Sequence, residues 1–315
     1  MDTPSLSPVA GHTDIRAGGW IDRFAPAPLR PYLRLARLDR PIGTWLLLFP
    51  CWWSTALAAT GPQGLEWPEL KAMALFAVGA VVMRGAGCTV NDILDRDIDA
   101  RVERTRVRPL PSGQVSVRQA LAFLVLQLLA GLAVLVQFDL ATIALGVASL
   151  VLVFTYPLMK RITWWPQVVL GLAFNWGALV GWTAMRGELA APALALYAAG
   201  IVWTLGYDTI YAHQDKEDDA RIGVKSTALR LGAGSRRWVG GFYVATWAGL
   251  LAAGLLAGLG AVYAGLITLA CLHLARQVAG WNMDDPADCL TRFKSNRDFG
   301  GLVLAAILAG RLLGP

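Results

Sequence analysis

Val90-Asn91-Asp92-Ile93-Leu94-Asp95-Arg96-Asp97-Ile98-Asp99 closes a strongly apolar run and packs one Asn and four Asp into nine residues. If the helix continues through it, Asn91, Asp95 and Asp99 fall at i, i+4 and i+8 on one face. Like charges at that spacing repel, so the bare face is unfavourable, and a divalent cation would turn it into a binding site. Asp92 and Asp97 lie off this face and by position alone read as solvated.

The surroundings decide what kind of helix this is. The chain has 315 residues, 56% hydrophobic and only 16% charged, with a mean hydropathy of +0.49. A soluble domain carries about 25% charged residues, so the balance points to a lipid bilayer as partner. Apolar runs long enough to span occur at 42–60, 69–92, 117–137, 140–157, 165–185, 191–211, 238–258, 261–279 and 299–314. The expected fold is therefore all-α, a polytopic membrane bundle of nine transmembrane helices. Tight breaks after the third and seventh runs suggest antiparallel hairpins. Of the 28 Lys and Arg, 24 fall in alternate connections and only Lys71, Arg186 and Arg311 in the others, with Arg84 inside a span. By the positive-inside rule the N-terminus is then cytoplasmic.

Several other readings drop out. The net charge of +6 on so apolar a chain is topological, and no nucleic-acid partner is expected. Four scattered Cys and three scattered His show no zinc spacing. Gly177/Gly181 and Gly254/Gly258 sit at the spacing of close-packed helices. Trp45, Trp67, Trp164 and Trp165 near span ends fit an interfacial belt. Residues 1–29, rich in Pro, Ala and Ser, lack the pattern of a secretory signal and read as a flexible polar tail before a single domain at 30–315.

A second acidic stretch, Tyr207-Asp208-Thr209-Ile210-Tyr211-Ala212-His213-Gln214-Asp215-Lys216-Glu217-Asp218-Asp219, ends the sixth run. As one helix it would align Asp208, Tyr211, Asp215 and Asp219, four spans after the first cluster and so at the same membrane surface. Glu217 and Asp218 would be solvated. Basic segments follow both clusters, with Arg104 and Arg108 after the first and Lys225 after the second. Carboxylates for Mg²⁺ beside cations for the remaining charge suit a diphosphate. Gly223-Val224-Lys225-Ser226-Thr227 is similar to the end of a P-loop, but Val224 stands where glycine is required, which excludes an NTPase. Arg84 lies seven residues before Asn91 on the same face, and an intramembrane arginine is a functional candidate by default.

Together these residues resemble the UbiA superfamily of intramembrane prenyltransferases. Asn91, Asp92, Asp95 and Asp99 match its NDxxDxxxD motif, and Asp215 and Asp219 its DxxxD motif, preceded by Tyr207, Asp208, Tyr211 and Ala212. The runs RTRVRPLPSG, TYPLMKRITWWPQ and YDTIYAHQDKEDDARIGVKSTALRLG look like the branch acting on 4-hydroxybenzoate in ubiquinone biosynthesis. The resemblance covers about 30–315 and implies a nine-helix bundle around a cavity. Mg²⁺ would be held by Asn91, Asp92, Asp95, Asp99, Asp215 and Asp219, with a polyprenyl diphosphate on it. Arg104, Arg108 and Lys225 are expected at its phosphate oxygens. Asp208 and Tyr211 would serve the acceptor, making Asp95, Asp208, Tyr211 and Asp215 the catalytic set. Arg84, Tyr156, Lys160 and Arg161 are expected at the carboxylate of 4-hydroxybenzoate. The expected location is a bacterial inner membrane, ahead of a mitochondrial one.

Two alternatives stay open. The acceptor could be homogentisate, dihydroxynaphthoate, chlorophyllide or haem, since the Asp motifs serve only the shared donor. A divalent-cation transporter would also carry acids, but it needs them along a two-sided path rather than at one surface. Prenyl chain length is not legible, because a cavity open to lipid takes many lengths.

Overall fold

The structure is a computed structural model describing residues 18–61, 64–102 and 105–314, and every regular element among them is helical. Two short helices come first, α1 (Trp20–Phe24) and α2 (Arg30–Leu35). The apolar segments follow as α3 (Ile42–Ala58), α4 (Trp67–Asp99), α5 (Val117–Leu135) and α6 (Leu140–Ile162). Next come α7 (Pro166–Asn175) and α8 (Gly177–Arg186), in line as one span, and α9 (Ala191–Ala212). The rest is α10 (Lys216–Ile222), α11 (Thr227–Leu231), α12 (Ser235–Leu256), α13 (Ala261–Ala279) and α14 (Pro286–Leu313).

Each of the nine expected apolar runs is helical, but length and composition qualify only seven of the described spans to cross a bilayer. The other two fall short for separate reasons. α3 is apolar but only 17 residues long. α14 has 28 residues, yet Asp288, Arg292, Lys294, Arg297 and Asp298 make its first half polar. α4 is the opposite case. At 33 residues it is about 50 Å long against a hydrocarbon core of about 30 Å. Its start is fixed by a capping box between Glu66 and Glu69, so the surplus carries the Asp-bearing turns out of the apolar layer.

The expected flexible tail at 1–29 needs correction where it is described; residues 1–17 lie outside the described residues. Ile21 is buried, Asp22 pairs with Arg34 of α2, and Trp20 Nε1 donates to the Leu38 carbonyl at 3.2 Å. Within Trp20–Phe24 the buried residue is Ile21, and composition alone hides that.

α9 is the central helix, packed on α12 and α7, while α3 packs on α8. The core joins them through Trp53, Trp203, Tyr207 and Phe299, all fully buried. Trp53 Nε1 donates to the Gly300 carbonyl and Trp203 Nε1 to Asn296 Oδ1, each at 2.9 Å, so the buried indoles lose no hydrogen bond. Gly177 and Gly181 do the close packing expected of them. A Cβ at either would collide with Cys51 of α3. α5 and α6 lie at the periphery, presenting Leu126 and Val151 outward. Trp67 and Trp164 are exposed near helix ends, as a belt requires, but Trp45 lines an internal cavity instead.

Candidate active site

The last turns of α4 carry three buried carboxylates, and each meets a cation. Asp92, expected to be solvated, is fully buried and accepts from Arg37 Nη2 at 2.6 and 2.8 Å. Arg108 Nη1 bridges Asp92 and Asp99 at 3.3 and 2.8 Å. Asp95, also fully buried, pairs with Lys160 and with Arg161 Nη2 at 3.2 Å. The helix thus keeps its self-repelling face because neighbouring segments neutralise it. Asp97 is solvated as expected.

Arg37 was not among the expected site residues. It follows α2 with φ +59°, the only non-glycine residue at positive φ among those described. Leu38 N–H bonds back to the Leu33 carbonyl, so Arg37 occupies the left-handed helix-ending position that usually takes glycine. A side chain there costs about 1 kcal/mol or more. Here it delivers the guanidinium to Asp92, 55 residues away. In sequence Arg37 is one more positive-inside charge, with no pattern to mark it.

The second acidic stretch is not one helix, and the expected common face of Asp208, Tyr211, Asp215 and Asp219 is broken. α9 ends at Ala212, and α10 starts anew at Lys216 with Asp215 as its N-cap residue. The physical reason is the run of acids, since Glu217, Asp218 and Asp219 are favoured in the first turn of a new helix, where the backbone dipole is positive. His213 fixes the break, with its Nε2 2.9 Å from Ser235 Oγ and its ring edge-on to Trp281.

Two spaces meet between these segments. A cleft of about 230 Å³ is lined by Asp99 from α4, by Asp215, Asp218 and Asp219, and by Arg108, Lys160 and Lys225. Asp218, expected to be solvated, thus borders the cleft, whereas Glu217 is exposed. A larger cavity of about 1360 Å³ runs down among α3 to α9 and α14, apolar along α5 and α6. Asn91, Arg108, Tyr156 and Tyr211 line both and form their boundary. Both acidic segments therefore face one anion-sized space at the mouth of one chain-sized cavity.

Inside the large cavity are Arg84 and Asp208. Arg84 stands over the Phe174 ring at 5.4 Å, and its buried Nε has no hydrogen-bond partner. Gly43 makes room for it, since a Cβ there would collide with the guanidinium. Asp208 is hydrogen-bonded to Gln167, whose Oε1 in turn accepts from the Thr227 N–H at 3.3 Å. Tyr211 packs on Phe293 with ring centroids 4.4 Å apart. Arg84 is thus a buried cation with an unanswered donor, over an aromatic ring and near the Asp208 carboxylate.

Lys160 and Arg161, expected at the acceptor's carboxylate, both pair with the fully buried Asp95, which lines neither space; of the three only Lys160 lines the cleft. Lys225 lines that cleft, but its Nζ donates to the Ile162 carbonyl at 3.0 Å and sits over the Trp164 ring. Arg104 lies outside the described residues. Among the described residues no three His, Cys, Asp or Glu converge to hold a metal unaided. The donors that do face the cleft are oxygens, divided between α4 and α10. That fits Mg²⁺, which takes one or two carboxylates and completes its shell with phosphate oxygens and water.

The model of the UbiA prenyltransferase family matches residues 47–300. The chain is 50% identical over 298 residues to the Arabidopsis thaliana protein named 4-hydroxybenzoate polyprenyltransferase, mitochondrial, covering 94% of this chain and 72% of that one. The Drosophila melanogaster protein of the same name is 53% identical over 285 residues, 90% and 72% of the two chains. Among solved structures, a UbiA homolog from Archaeoglobus fulgidus bound to GPP and Mg²⁺ superposes with a TM-score of 0.67 at 20% identity, covering 89% of this chain and 99% of that one.

Proposed function

The chain belongs to the UbiA prenyltransferase family, and from that premise we infer that it transfers a polyprenyl group from polyprenyl diphosphate to the ring carbon ortho to the hydroxyl of 4-hydroxybenzoate. The observation that carries the reading is the cleft where Asp99 of α4 faces Asp215 and Asp219 of α10, opening on an apolar cavity that holds Arg84.

In this reading the diphosphate sits in the cleft and the chain descends along α4, α5 and α6. Asn91, Asp95, Asp99, Asp215 and Asp219 would hold Mg²⁺, which when bound neutralises charge on the departing diphosphate. Asp92 has a different task. With both oxygens on Arg37, it fixes Arg108 towards Asp99 and the phosphate oxygens. Lys225, which lines the cleft, would add to the cationic side, and Arg104 is assigned there from its position in the sequence alone.

Arg84 receives the acceptor's carboxylate, with Phe174 and Tyr156 beside the ring. The allylic C–O bond breaks, its electron pair leaves with the diphosphate, and the electron-rich ring carbon forms the new C–C bond. The ring then loses its proton, and Asp208, with Tyr211 next to it, is the carboxylate placed to take a proton from the acceptor. An apolar cavity keeps water from the allylic cation. An ion path would instead need polar groups through to the far face, and this cavity ends on phenyl rings.

All nine apolar helices are taken to cross the bilayer with the N-terminus cytoplasmic, on the strength of the 24-to-3 distribution of Lys and Arg. The chain is an integral membrane protein. The names of its relatives weigh for a mitochondrial over a bacterial membrane.

The test is purified protein with Mg²⁺, a long polyprenyl diphosphate and each candidate acceptor in turn. Prenylated 4-hydroxybenzoate is the expected product, abolished by EDTA and restored by Mg²⁺. Product with homogentisate or dihydroxynaphthoate but none with 4-hydroxybenzoate would overturn the acceptor. No product from any pair would overturn the reaction class.

A further inference from the structure

The apolar end of the large cavity has its own construction. Its α4 wall runs along one helical face from Asn91 through Met83 and Gly79 to Phe76. The fifteen residue steps between them correspond to about 22 Å at the rise of an α-helix. There the Phe76 ring stacks on Phe138 of the α5–α6 turn, centroids 5.0 Å apart and planes at 8°. Both rings pack in one apolar cluster with Leu48, Ala72, Val180 and Met185, and no α4 residue before Phe76 lines the cavity, so the rings mark its end along α4. The turn that presents Phe138 is pinned by Asp139, whose carboxylate accepts from Thr142 N–H at 3.0 Å and Thr142 Oγ1 at 2.9 Å.

Gly79 lies one turn above the rings. Mid-helix glycine costs about 1 kcal/mol relative to alanine, and no close backbone approach requires it here. A Cβ would meet only Val134 Cγ1, at 3.6 Å, which is ordinary contact. What a larger side chain would do is enter the cavity. The side walls differ from this end. α5 packs chiefly on α4 and α6 chiefly on α7, leaving a seam between the two that faces lipid.

Length then decides what the rings meet. An extended isoprene unit advances four carbon–carbon bonds, about 5 Å at ordinary bond lengths. From a diphosphate at Asn91, about four units reach the rings. We propose that Phe76 and Phe138 form the stop for the fourth isoprene unit of the donor, and that units beyond it turn through the α5–α6 seam into the bilayer. This rests on the prenyl-transfer reading above and adds where along the chain the protein's hold ends.

Photo-crosslinking in the purified protein tests it, with prenyl diphosphates of two and four units carrying a diazirine on the terminal carbon. Peptide mapping should place the two-unit label near Met83 and Gly87, and the four-unit label on Phe76 or Phe138. Gly79→Phe should remove the four-unit label from Phe138 and shift it to the seam residues of α5 or α6. Gly79→Leu should do the same with a smaller intrusion, and two-unit labelling reports that the cavity is still formed. A four-unit label distributed like the two-unit label, or one that stays on Phe138 in both variants, overturns the stop. Turnover measured on the same samples separates the failures. Turnover without labelling of the rings sinks the stop alone, and no turnover with either donor sinks the reaction with it.

Discussion

Asp92, Asp95 and Asp99 end one uninterrupted helix of 33 residues, each buried and each paired with Arg or Lys from another segment. Asp215 and Asp219 stand on a seven-residue helix of their own, beyond a break at His213, and are only half-buried. The motifs look alike as strings of Asp, but the first is buried on a long helix and the second half-buried at a short one. Buried charge pairs add little net stability, yet breaking one is expensive, because the remaining partner is left alone in an apolar setting. The fully buried first jaw should therefore lose more stability on substitution than the half-buried second.

The largest effect is expected at Arg37. Arg37→Ala leaves Asp92 with Arg108 alone, at 3.3 Å, and should cost about 3–5 kcal/mol of stability. Thermal unfolding in detergent reads this, and an unchanged Tm would show that Asp92 does not depend on its partner. Asp219→Asn should lower turnover about a hundredfold or more, the scale of losing one transition-state electrostatic contact. Its stability should fall less than that of Arg37→Ala, because Asp219 is half-buried rather than fully buried. A large drop in Tm there would erase the distinction between the jaws.

Arg84 belongs to neither jaw. Arg84→Gln should raise KM for 4-hydroxybenzoate about tenfold to a hundredfold, the worth of a hydrogen bond to a charged group, with KM for the donor little moved. A rise in the donor's KM instead would place Arg84 in the cleft. The smallest effect is at the opposite end of the cavity. Asp139→Ala removes the cap of α6 and should cost about 1 kcal/mol. Partial burial pushes the Asp139 carboxyl up, but the hydrogen bonds from Thr142 outweigh it and hold the group below the usual carboxylate range. Its contribution is therefore present above the ordinary Asp pKa of about 3.9 and fades as pH falls through the lower folded value. An acid unfolding profile identical in Asp139→Ala and wild type would contradict that.

What was legible in the sequence was whatever has a period or a run. The apolar stretches located the helices, and the spacing of Asn91, Asp95 and Asp99 placed them on one face. Charge alternation and the second Asp cluster then pointed both motifs to one end of the bundle. What stayed hidden depends on distant pairs. Nothing local tells Arg37 from the other basic residues of its connection, so its pairing with Asp92 and the burial of Asp92 could not be read. Lys160 and Arg161 looked equally suited to any anion, and only the fold shows Asp95 beside them. The break at His213 was missed because a run of acids fits a helix face and a new helix N-terminus equally well. Gly43 and Gly79 were silent, since the use of a glycine as empty space appears only when the facing side chain is known.

The central claim is that transfer requires both jaws around one diphosphate. Its most direct test is formation of prenylated 4-hydroxybenzoate from a long polyprenyl diphosphate in Mg²⁺, compared among wild type, Asp95→Asn and Asp215→Asn. Product from wild type and near-complete loss in both variants is the predicted result. Wild-type turnover in either variant would contradict it.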